Sequence, residues 1–197
     1  MKQRIFLAVI IVGIAFAFSG PDKLVNKPMP YFEGKTISGV KVDTSFFRNK
    51  VTLIDFMYIG CPPCAKEMKQ LIKLNKENKS SSFQILGISA NTEQQLKDFN
   101  STNSTVYSQV RKNAKLDSVE YFLMPECAME SVKKKPNSIG AECNTVSKLF
   151  KVYAYPQTFL VDKKGIIRYA FSGYVSEQDE EAFMQELKEE IKKLLAE

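Results

Sequence analysis

Residues 51–64 read VTLIDFMYIGCPPC, and they set the architecture of the whole chain. The part from Val51 to Ile59 is almost continuously apolar and rich in strand formers, which is typical of a strand buried on both faces of an α/β sheet. A helix is predicted directly after it, from Cys61 to Asn78. Two cysteines separated by two prolines therefore lie where a buried strand leads into a helix, and this context makes a short motif informative.

The cysteine pair is predicted to act as a redox couple. Cys61 caps the helix, so its sulfur lies at the positive end of the helix dipole, where a thiolate is favoured over a thiol. Cys61 is therefore the predicted nucleophile. Cys64 falls on the helix face that must be buried, which makes it the predicted resolving thiol that breaks a mixed disulfide. The alternative is a plain stabilising disulfide.

The two intervening residues, Pro62 and Pro63, affect the reactivity of this pair. Neither has a backbone N–H, so the thiolate of Cys61 keeps mainly the N–H of Cys64 as a donor. We expect a less stabilised thiolate and a more reducing pair than in strongly oxidising proteins of this kind. A reduction potential near the ~−120 mV of a strong oxidant would contradict this expectation.

Two carboxylates are candidates to accept the proton of a buried resolving thiol. Asp55 lies in the middle of the apolar strand, where a lone charge is costly unless it has a partner or a task. Glu67 comes three residues after Cys64 on the helix. The alternatives are that Asp55 is a satisfied structural carboxylate and that Glu67 is a surface residue.

Apolar periodicity and turn residues predict the elements on either side of this centre. They are a small hairpin of Tyr31–Ile37 and Val40–Val42 around the turn Ser38-Gly39, a second buried strand at Phe83–Ala90, a short helix at Thr92–Phe99 with Asn91 as its candidate cap, a hairpin of Gln157–Val161 and Ile166–Phe171, and a closing helix. The closing helix has a capping-box-like pair at Ser176 and Asp179, and its apolar stripe is Phe183, Leu187, Ile191 and Leu194. The result is an α/β fold in which a sheet, first parallel and then antiparallel, carries helices on both faces.

Residues 100–144 are polar and irregular, and they are interpreted as an insertion between the sheet strands. This segment holds the other two cysteines, Cys127 and Cys143. A structural disulfide between them is the default interpretation in an exported protein, and a loop of this size would contribute roughly 3 kcal/mol if it were unstrained. A redox relay with Cys61 and Cys64, or a pair of free thiols, are the alternatives.

The N-terminus is typical of an exported protein. A basic start is followed by an apolar run, Ile5–Phe18, that ends among small residues. This run is short of the ~20 residues that span a bilayer, so residues 1–19 are interpreted as a cleaved signal peptide, with an N-terminal anchor as the alternative. Residues 20–30 are a linker and residues 31–197 a single domain. Disulfide-handling enzymes fit the oxidising compartment that such a chain enters.

Composition excludes several classes of function. The chain has no histidine, which removes Ser-His and Cys-His triads and histidine-ligated zinc or haem. The net charge of +6 comes from basic residues scattered along the chain without an aromatic-interleaved stripe, so no nucleic-acid partner is expected. We expect no metal, and no cofactor beyond a redox-active Cys61–Cys64 disulfide.

A second motif, Tyr155-Pro156-Gln157-Thr158, precedes the late hairpin. Its proline is a candidate cis-proline whose loop lies beside the cysteines and offers its backbone to a substrate chain. Together with the segment from Leu53 to Met68, the motif resembles the TlpA/ResA-like branch of the thioredoxin superfamily. The resemblance covers the chain from about residue 28 to the end.

This resemblance implies a thioredoxin fold, here with an N-terminal hairpin and an inserted segment. It also implies a periplasmic or membrane-anchored location in the bacterial cell envelope and the reduction of disulfides there, sometimes in cytochrome c maturation. The expected partners are exported proteins with cysteine pairs and an upstream membrane or periplasmic thiol donor. By position, the attacking cysteine matches Cys61, the resolving cysteine Cys64, the cis-proline Pro156, the active-site glutamate Glu67 and the buried aspartate Asp55. The residues expected to contact substrate are Pro62, Pro63, Tyr155 and Pro156.

One departure from the family pattern and two other functions complete the sequence-based picture. Gly60 replaces the aromatic residue that usually precedes the first cysteine, which should open the site on one side. A peroxiredoxin-like peroxidase shares this fold, but it needs a threonine three residues before the attacking cysteine, where Tyr58 lies. A cysteine-based metal chaperone or zinc site would use all four cysteines, yet the second pair lacks the tight spacing of a zinc knuckle.

Overall fold

The structure is a computed structural model that describes residues 21–78, 80, 82–116, 118–127, 145–173 and 180–197. After a 3-10 turn, its elements are β1 (Gly34–Lys35), β2 (Lys41–Val42), α1 (Thr44–Phe47), β3 (Val51–Met57), α2 (Pro62–Glu77), β4 (Phe83–Thr92), α3 (Glu93–Asn100), α4 (Ser108–Ala114), β5 (Phe122–Cys127), α5 (Thr145–Leu149), β6 (Gln157–Val161), β7 (Ile167–Ser172) and α6 (Glu180–Ala196). Three predictions lie outside the described residues: the leader, the Cys127–Cys143 pairing, and the Ser176–Asp179 cap.

Five strands form one mixed sheet in the order β5-β4-β3-β6-β7. The central strand β3 is buried along its whole length, as the apolar sequence predicts. It runs parallel to β4, with Asp55 opposite Gly87, and antiparallel to β6, with Asp55 opposite Thr158. β7 pairs antiparallel with β6. The predicted sheet, first parallel and then antiparallel, is confirmed.

Helices cover both faces of this sheet, which confirms the predicted thioredoxin-like layers. Successive side chains of a strand point to opposite faces, so β3 contributes to two cores. On one face Leu53 belongs to a core with Leu71 of α2 and Ile191 of α6. On the other face Ile54 belongs to a core with Phe150, which follows α5. Within the described residues, no helix combines the length and apolar character needed to cross a membrane.

The two ends of the domain also agree with the sequence. β1 and β2 form the predicted antiparallel hairpin, although it is shorter than expected. The predicted stripe of α6 is buried at Leu187, Ile191 and Leu194. Phe183, the fourth residue of that stripe, is only partly buried and packs against the ring of Phe171 on β7, with the ring centroids 4.4 Å apart.

The prediction of an irregular segment at residues 100–144 is wrong for its described part. This part forms helix α4 and strand β5, and β5 extends the sheet parallel to β4. The sequence does not indicate this strand because Pro125 interrupts its short apolar run. The structure accommodates the proline because β5 is an edge strand, where proline is tolerated. The N-terminal hairpin lies against this edge, since the N–H of Ile37 donates to the carbonyl of Leu123 at 2.8 Å.

The predicted cap of α3 is also wrong. Thr92, not Asn91, caps the helix: its Oγ1 accepts from the N–H of Gln95 at 3.2 Å, and Oε1 of Gln95 accepts from the N–H of Thr92 at 3.0 Å. Asn91 has another partner, because its Oδ1 accepts a hydrogen bond from the N–H of Ile59 at 2.7 Å. This bond fixes the chain just before the cysteine pair to the end of β4.

Candidate redox site

Cys61 and Cys64 form a disulfide at the start of α2, with their Cα atoms 5.2 Å apart. Cys61 is the N-cap of the helix, and its Sγ accepts a hydrogen bond from the N–H of Cys64 at 3.1 Å. Both cysteines are buried, whereas Pro62 beside them is exposed. This position at the positive end of a helix favours the thiolate of Cys61 when the pair is reduced.

The prolines reduce the number of hydrogen-bond donors at this helix end. Pro62 and Pro63 occupy the first two positions of α2, where a helix otherwise presents free N–H groups. The N–H of Cys64 is therefore the first donor of the helix, and it is directed at Cys61. This geometry agrees with the expectation of a thiolate stabilised mainly by one backbone donor.

Two buried carboxyl groups lie between β3 and α2. Asp55 is 1% exposed and Glu67 is 8% exposed. Oγ1 of Thr158 donates a hydrogen bond to Oε1 of Glu67. Because Thr158 is the strand partner of Asp55, their side chains share a face of the sheet, and the hydrogen bond brings Glu67 to that same face.

The burial of Glu67 rejects the alternative that it is a surface residue. For Asp55, Oδ1 has no hydrogen-bond partner among the described residues. An unpaired buried carboxylate is costly in its charged form, so the group takes up a proton instead.

The pKa values of the pair follow from this burial. Burial raises the pKa of Asp55 well above its ordinary value, and the charge of Glu67 raises it further. Burial also raises the pKa of Glu67 to about 7, against the lowering effect of the Thr158 hydrogen bond. With a pKa of about 7, Glu67 can accept and release a proton near neutral pH, and the raised pKa of Asp55 favours its neutral form.

Tyr121 shares this buried site, although the sequence assigned it to the irregular segment. It is 8% exposed, and its hydroxyl has no hydrogen-bond partner among the described residues. Its pKa is raised well above the usual value, first by burial and then by the charges of Asp55 and Glu67. Gly87 makes room for the ring, because a Cβ there would lie 3.1 Å from Cε2 of Tyr121. A glycine inside a buried strand is the one sequence signal for such a close approach.

The loop before β6 lies at the same end of the sheet as the cysteine pair. The Tyr155–Pro156 bond is cis, the isomer that the sequence suggested, and Pro156 is buried. β6 starts at Gln157 opposite Phe56, close to the end of β3 from which the chain continues to the cysteines. The ring of Tyr155 packs edge-on against Tyr58, with the centroids 5.5 Å apart.

Two residues that sequence reasoning missed connect this loop to the edge strand. The hydroxyl groups of Ser147 and Tyr155 are 3.3 Å apart. Ser147 also donates from its N–H and its hydroxyl to the carboxylate of Glu126 on β5, at 2.5 and 2.6 Å. These contacts join parts of the chain separated by up to 21 residues, so no local pattern could reveal them.

A groove of about 600 Å³ opens beside Cys61, between α2 and α4. Gly60 lines it with a φ of +91°, and no atom of the described residues, apart from Gly60 and its two chain neighbours, lies within 4 Å of the place where a Cβ would be. The opening expected from the loss of an aromatic residue at this position is therefore present. In the described part of the chain, no group of three or more His, Cys, Asp or Glu side chains is placed to hold a metal ion.

Comparison with known proteins agrees with this geometry. The sequence model of the AhpC/TSA family matches residues 25–170. The chain belongs to this family. It is 25% identical over 197 residues to the thiol-disulfide oxidoreductase ResA of Bacillus cereus, and the match covers 94% of this chain and 98% of that one. It is 23% identical over 191 residues to the thiol:disulfide interchange protein DsbE of Pseudomonas aeruginosa, with 90% and 89% covered.

The fold of this AhpC/TSA family member is shared with solved structures. One of them, a thiol-disulfide oxidoreductase from Bacteroides fragilis, superposes with a TM-score of 0.52 at 23% identity, covering 83% of this chain and 98% of that one. The resemblance inferred from the two motifs is thus confirmed. The named relatives are thiol-disulfide oxidoreductases, and the joined Cys61–Cys64 pair agrees with the predicted class of enzyme.

Proposed function

We propose that this protein is an exported thiol-disulfide oxidoreductase that reduces disulfides of other exported proteins in the bacterial cell envelope. The observation that carries the proposal is the Cys61–Cys64 pair at the N-terminus of α2, on the helix that also holds the buried Glu67. The names of the curated relatives support the activity. The predicted leader at residues 1–19 supports export.

The first step is attack by Cys61. In the reduced enzyme its thiolate attacks one sulfur of a substrate disulfide, and the substrate S–S bond breaks as a mixed disulfide forms. The other substrate sulfur leaves as a thiolate. The helix N-terminus and the N–H of Cys64 stabilise the negative charge on Cys61 before the attack.

The second step is resolution by Cys64. Its thiol transfers a proton to the carboxyl pair formed by Asp55 and Glu67, and the resulting thiolate attacks Sγ of Cys61. The mixed disulfide breaks and the second substrate sulfur leaves as a thiolate. The substrate gains two electrons and the enzyme pair becomes a disulfide, which a dithiol donor of the envelope then reduces. The cycle uses no cofactor beyond the cysteine pair.

The loop at Tyr155 and Pro156 supplies a surface for the substrate chain. It lies at the end of the sheet from which β3 continues to Cys61, and the contact between Tyr155 and Tyr58 keeps it there. Pro62 follows Cys61 directly in the chain and is exposed, so it would also contact a bound substrate.

Trapping of the mixed disulfide tests this proposal. We expect Cys64→Ser to accumulate a covalent complex with a disulfide-containing protein such as insulin, because the resolving thiol is absent. The matched variant Cys61→Ser, which lacks the attacking thiol, is expected to form none. Non-reducing electrophoresis and mass spectrometry measure the complex. Equal trapping by both variants would contradict the roles, and peroxide turnover faster than disulfide reduction would support the peroxidase alternative instead.

A further inference from the structure

The groove beside Cys61 is lined by both apolar and basic residues. Its apolar lining includes Ala65 of α2 together with Val110 and Ala114 of α4. Its basic lining comes from three lysines, Lys66, Lys69 and Lys115, and no acidic residue is among the described residues that line it. Its volume of about 600 Å³ falls within the range of about 300–1,000 Å³ in which proteins bind small molecules and short segments.

The wall formed by α4 is held firmly in place. Arg111 of α4 is buried, and its guanidinium donates to the backbone carbonyls of Asp98, Phe99 and Ser104 at 3.3, 3.0 and 2.7 Å. These bonds tie α4 to the end of α3 and to the loop that follows it. The groove is therefore a preformed feature, which reduces the entropy cost of binding.

Two sources of positive potential act on this groove. Lys69 and Lys115 line the groove, and the N-terminus of α2, with its partial positive charge, ends at Cys61 on the same wall. A concave surface lined by one sign of charge raises the local concentration of ligands of the opposite sign. The apolar part of the lining adds contact area for an extended chain.

We infer that the groove between α2 and α4 docks an extended segment of the substrate protein that carries acidic residues next to its disulfide. This inference rests on the proposed function and specifies its substrate class. The open edge left by Gly60 lets such a segment pass over Cys61 into the groove, so the substrate sulfur reaches the attacking thiol while the acidic flank contacts the lysines. The attack and resolution steps are those described above.

Two synthetic peptides test the charge preference. Both contain the same internal disulfide, and they differ only in a flank of three glutamates or three lysines. The second-order rate constant of their reduction by the reduced enzyme is measured by acid quenching and alkylation. We expect the acidic peptide to react about tenfold faster or more at low ionic strength, and we expect salt at roughly 0.5 M to shrink the difference because it screens exposed charges.

A charge reversal in the groove tests the location. We expect Lys69→Glu to reduce the preference for the acidic peptide by about fivefold or more. The matched control is Lys192→Glu, an exposed lysine on α6 that does not line the groove and carries the same change of charge. It is expected to leave the preference unchanged. Each rate is divided by that for 2-hydroxyethyl disulfide, an uncharged substrate, so that effects on the cysteine pair itself cancel.

The outcomes separate this inference from the proposed function. If both peptides react equally fast while 2-hydroxyethyl disulfide is still reduced, the docking inference is overturned and the activity stands. If the wild-type enzyme reduces no disulfide at all, the proposed function fails. A dimer in solution that Lys69→Glu dissociates would assign the groove to a second copy of the chain and would also overturn the inference.

Discussion

Replacing Glu67 with glutamine is expected to stabilise the oxidised protein at pH 8 and to change it little at pH 5. The carboxyl group is buried, and burial raises its pKa from the ordinary 4.5 to about 7. One pKa unit corresponds to about 1.4 kcal/mol, so the ionised side chain lowers the free energy of unfolding by roughly 3 kcal/mol. Glutamine has nearly the same shape and carries no charge to desolvate.

The sign of the pH dependence follows from proton binding. The unfolded chain releases this proton near pH 4.5, whereas the folded protein keeps it up to about pH 7. Between these values the folded state binds more protons, so the free energy of unfolding falls as the pH rises. The destabilisation by Glu67 is absent at low pH, where its carboxyl group is protonated in both the folded and the unfolded state. It is complete above the pKa of Glu67 in the folded protein.

Urea unfolding of the oxidised protein at several pH values from 5 to 8 measures this effect, since the disulfide keeps Cys61 and Cys64 from titrating. We expect the glutamine variant to lack a decrease in the free energy of unfolding of roughly 2.5 kcal/mol that the wild type shows between pH 5 and pH 8. The matched control is Glu77→Gln in the same helix, because the pKa of that exposed carboxyl is lowered by its hydrogen bond to Lys188. If the free energy of unfolding of Glu67→Gln depends on pH as steeply as that of the wild type, then burial does not raise the pKa of Glu67 and the reasoning is refuted.

Three further substitutions test contacts around the site. Thr158→Val removes a hydrogen bond that lowers the pKa of Glu67, so the decrease in stability is expected to move to higher pH in the same titration, and an unmoved midpoint would count against this bond. Asn91→Ala leaves a backbone N–H before the cysteine pair without its partner and is expected to cost about 1–2 kcal/mol in urea unfolding, whereas a loss near zero would show that the bond is dispensable. Gly87→Ala places a Cβ 2.9 Å from Cδ2 of Leu123 and 3.1 Å from the ring of Tyr121 and is expected to cost about 1–3 kcal/mol in the same assay, and a neutral result would contradict this close packing.

The parts of the fold that could be predicted are those with a local signal. The run from Val51 to Ile59 is almost continuously apolar and Asp55 is its only charged residue, and this pattern is sufficient to place a central buried strand. The two cysteines and two prolines mark a helix start, and the turn before Gly165 marks a hairpin. Each of these signals lies within a few residues of the element that it predicts.

The parts that escaped prediction depend on contacts between distant residues. The hydrogen bond between Thr158 and Glu67 joins residues 91 positions apart, so no local pattern indicates this partner of Glu67. Tyr121 enters the site only because β5 adds to the sheet edge, which its short, proline-containing sequence does not indicate. The predicted cap of α3 is wrong by one residue, because Asn and Thr are both favoured at the N-cap position. The side chain of Asn91 instead accepts a hydrogen bond from the N–H of Ile59, and Thr92 caps the helix.

The reduction potential of the Cys61–Cys64 pair tests the central claim most directly. It is measured by thiol trapping across glutathione and dithiothreitol buffers, in the wild type and in a Cys127→Ser, Cys143→Ser variant that isolates the pair. Because Pro62 and Pro63 offer no backbone N–H to the thiolate of Cys61, a reductase is expected here, with a potential well below the ~−180 mV of a disulfide isomerase that is unchanged in the variant. A potential near the ~−120 mV of a strong oxidant would contradict the account, and one that moves with the variant would indicate a relay through the second pair.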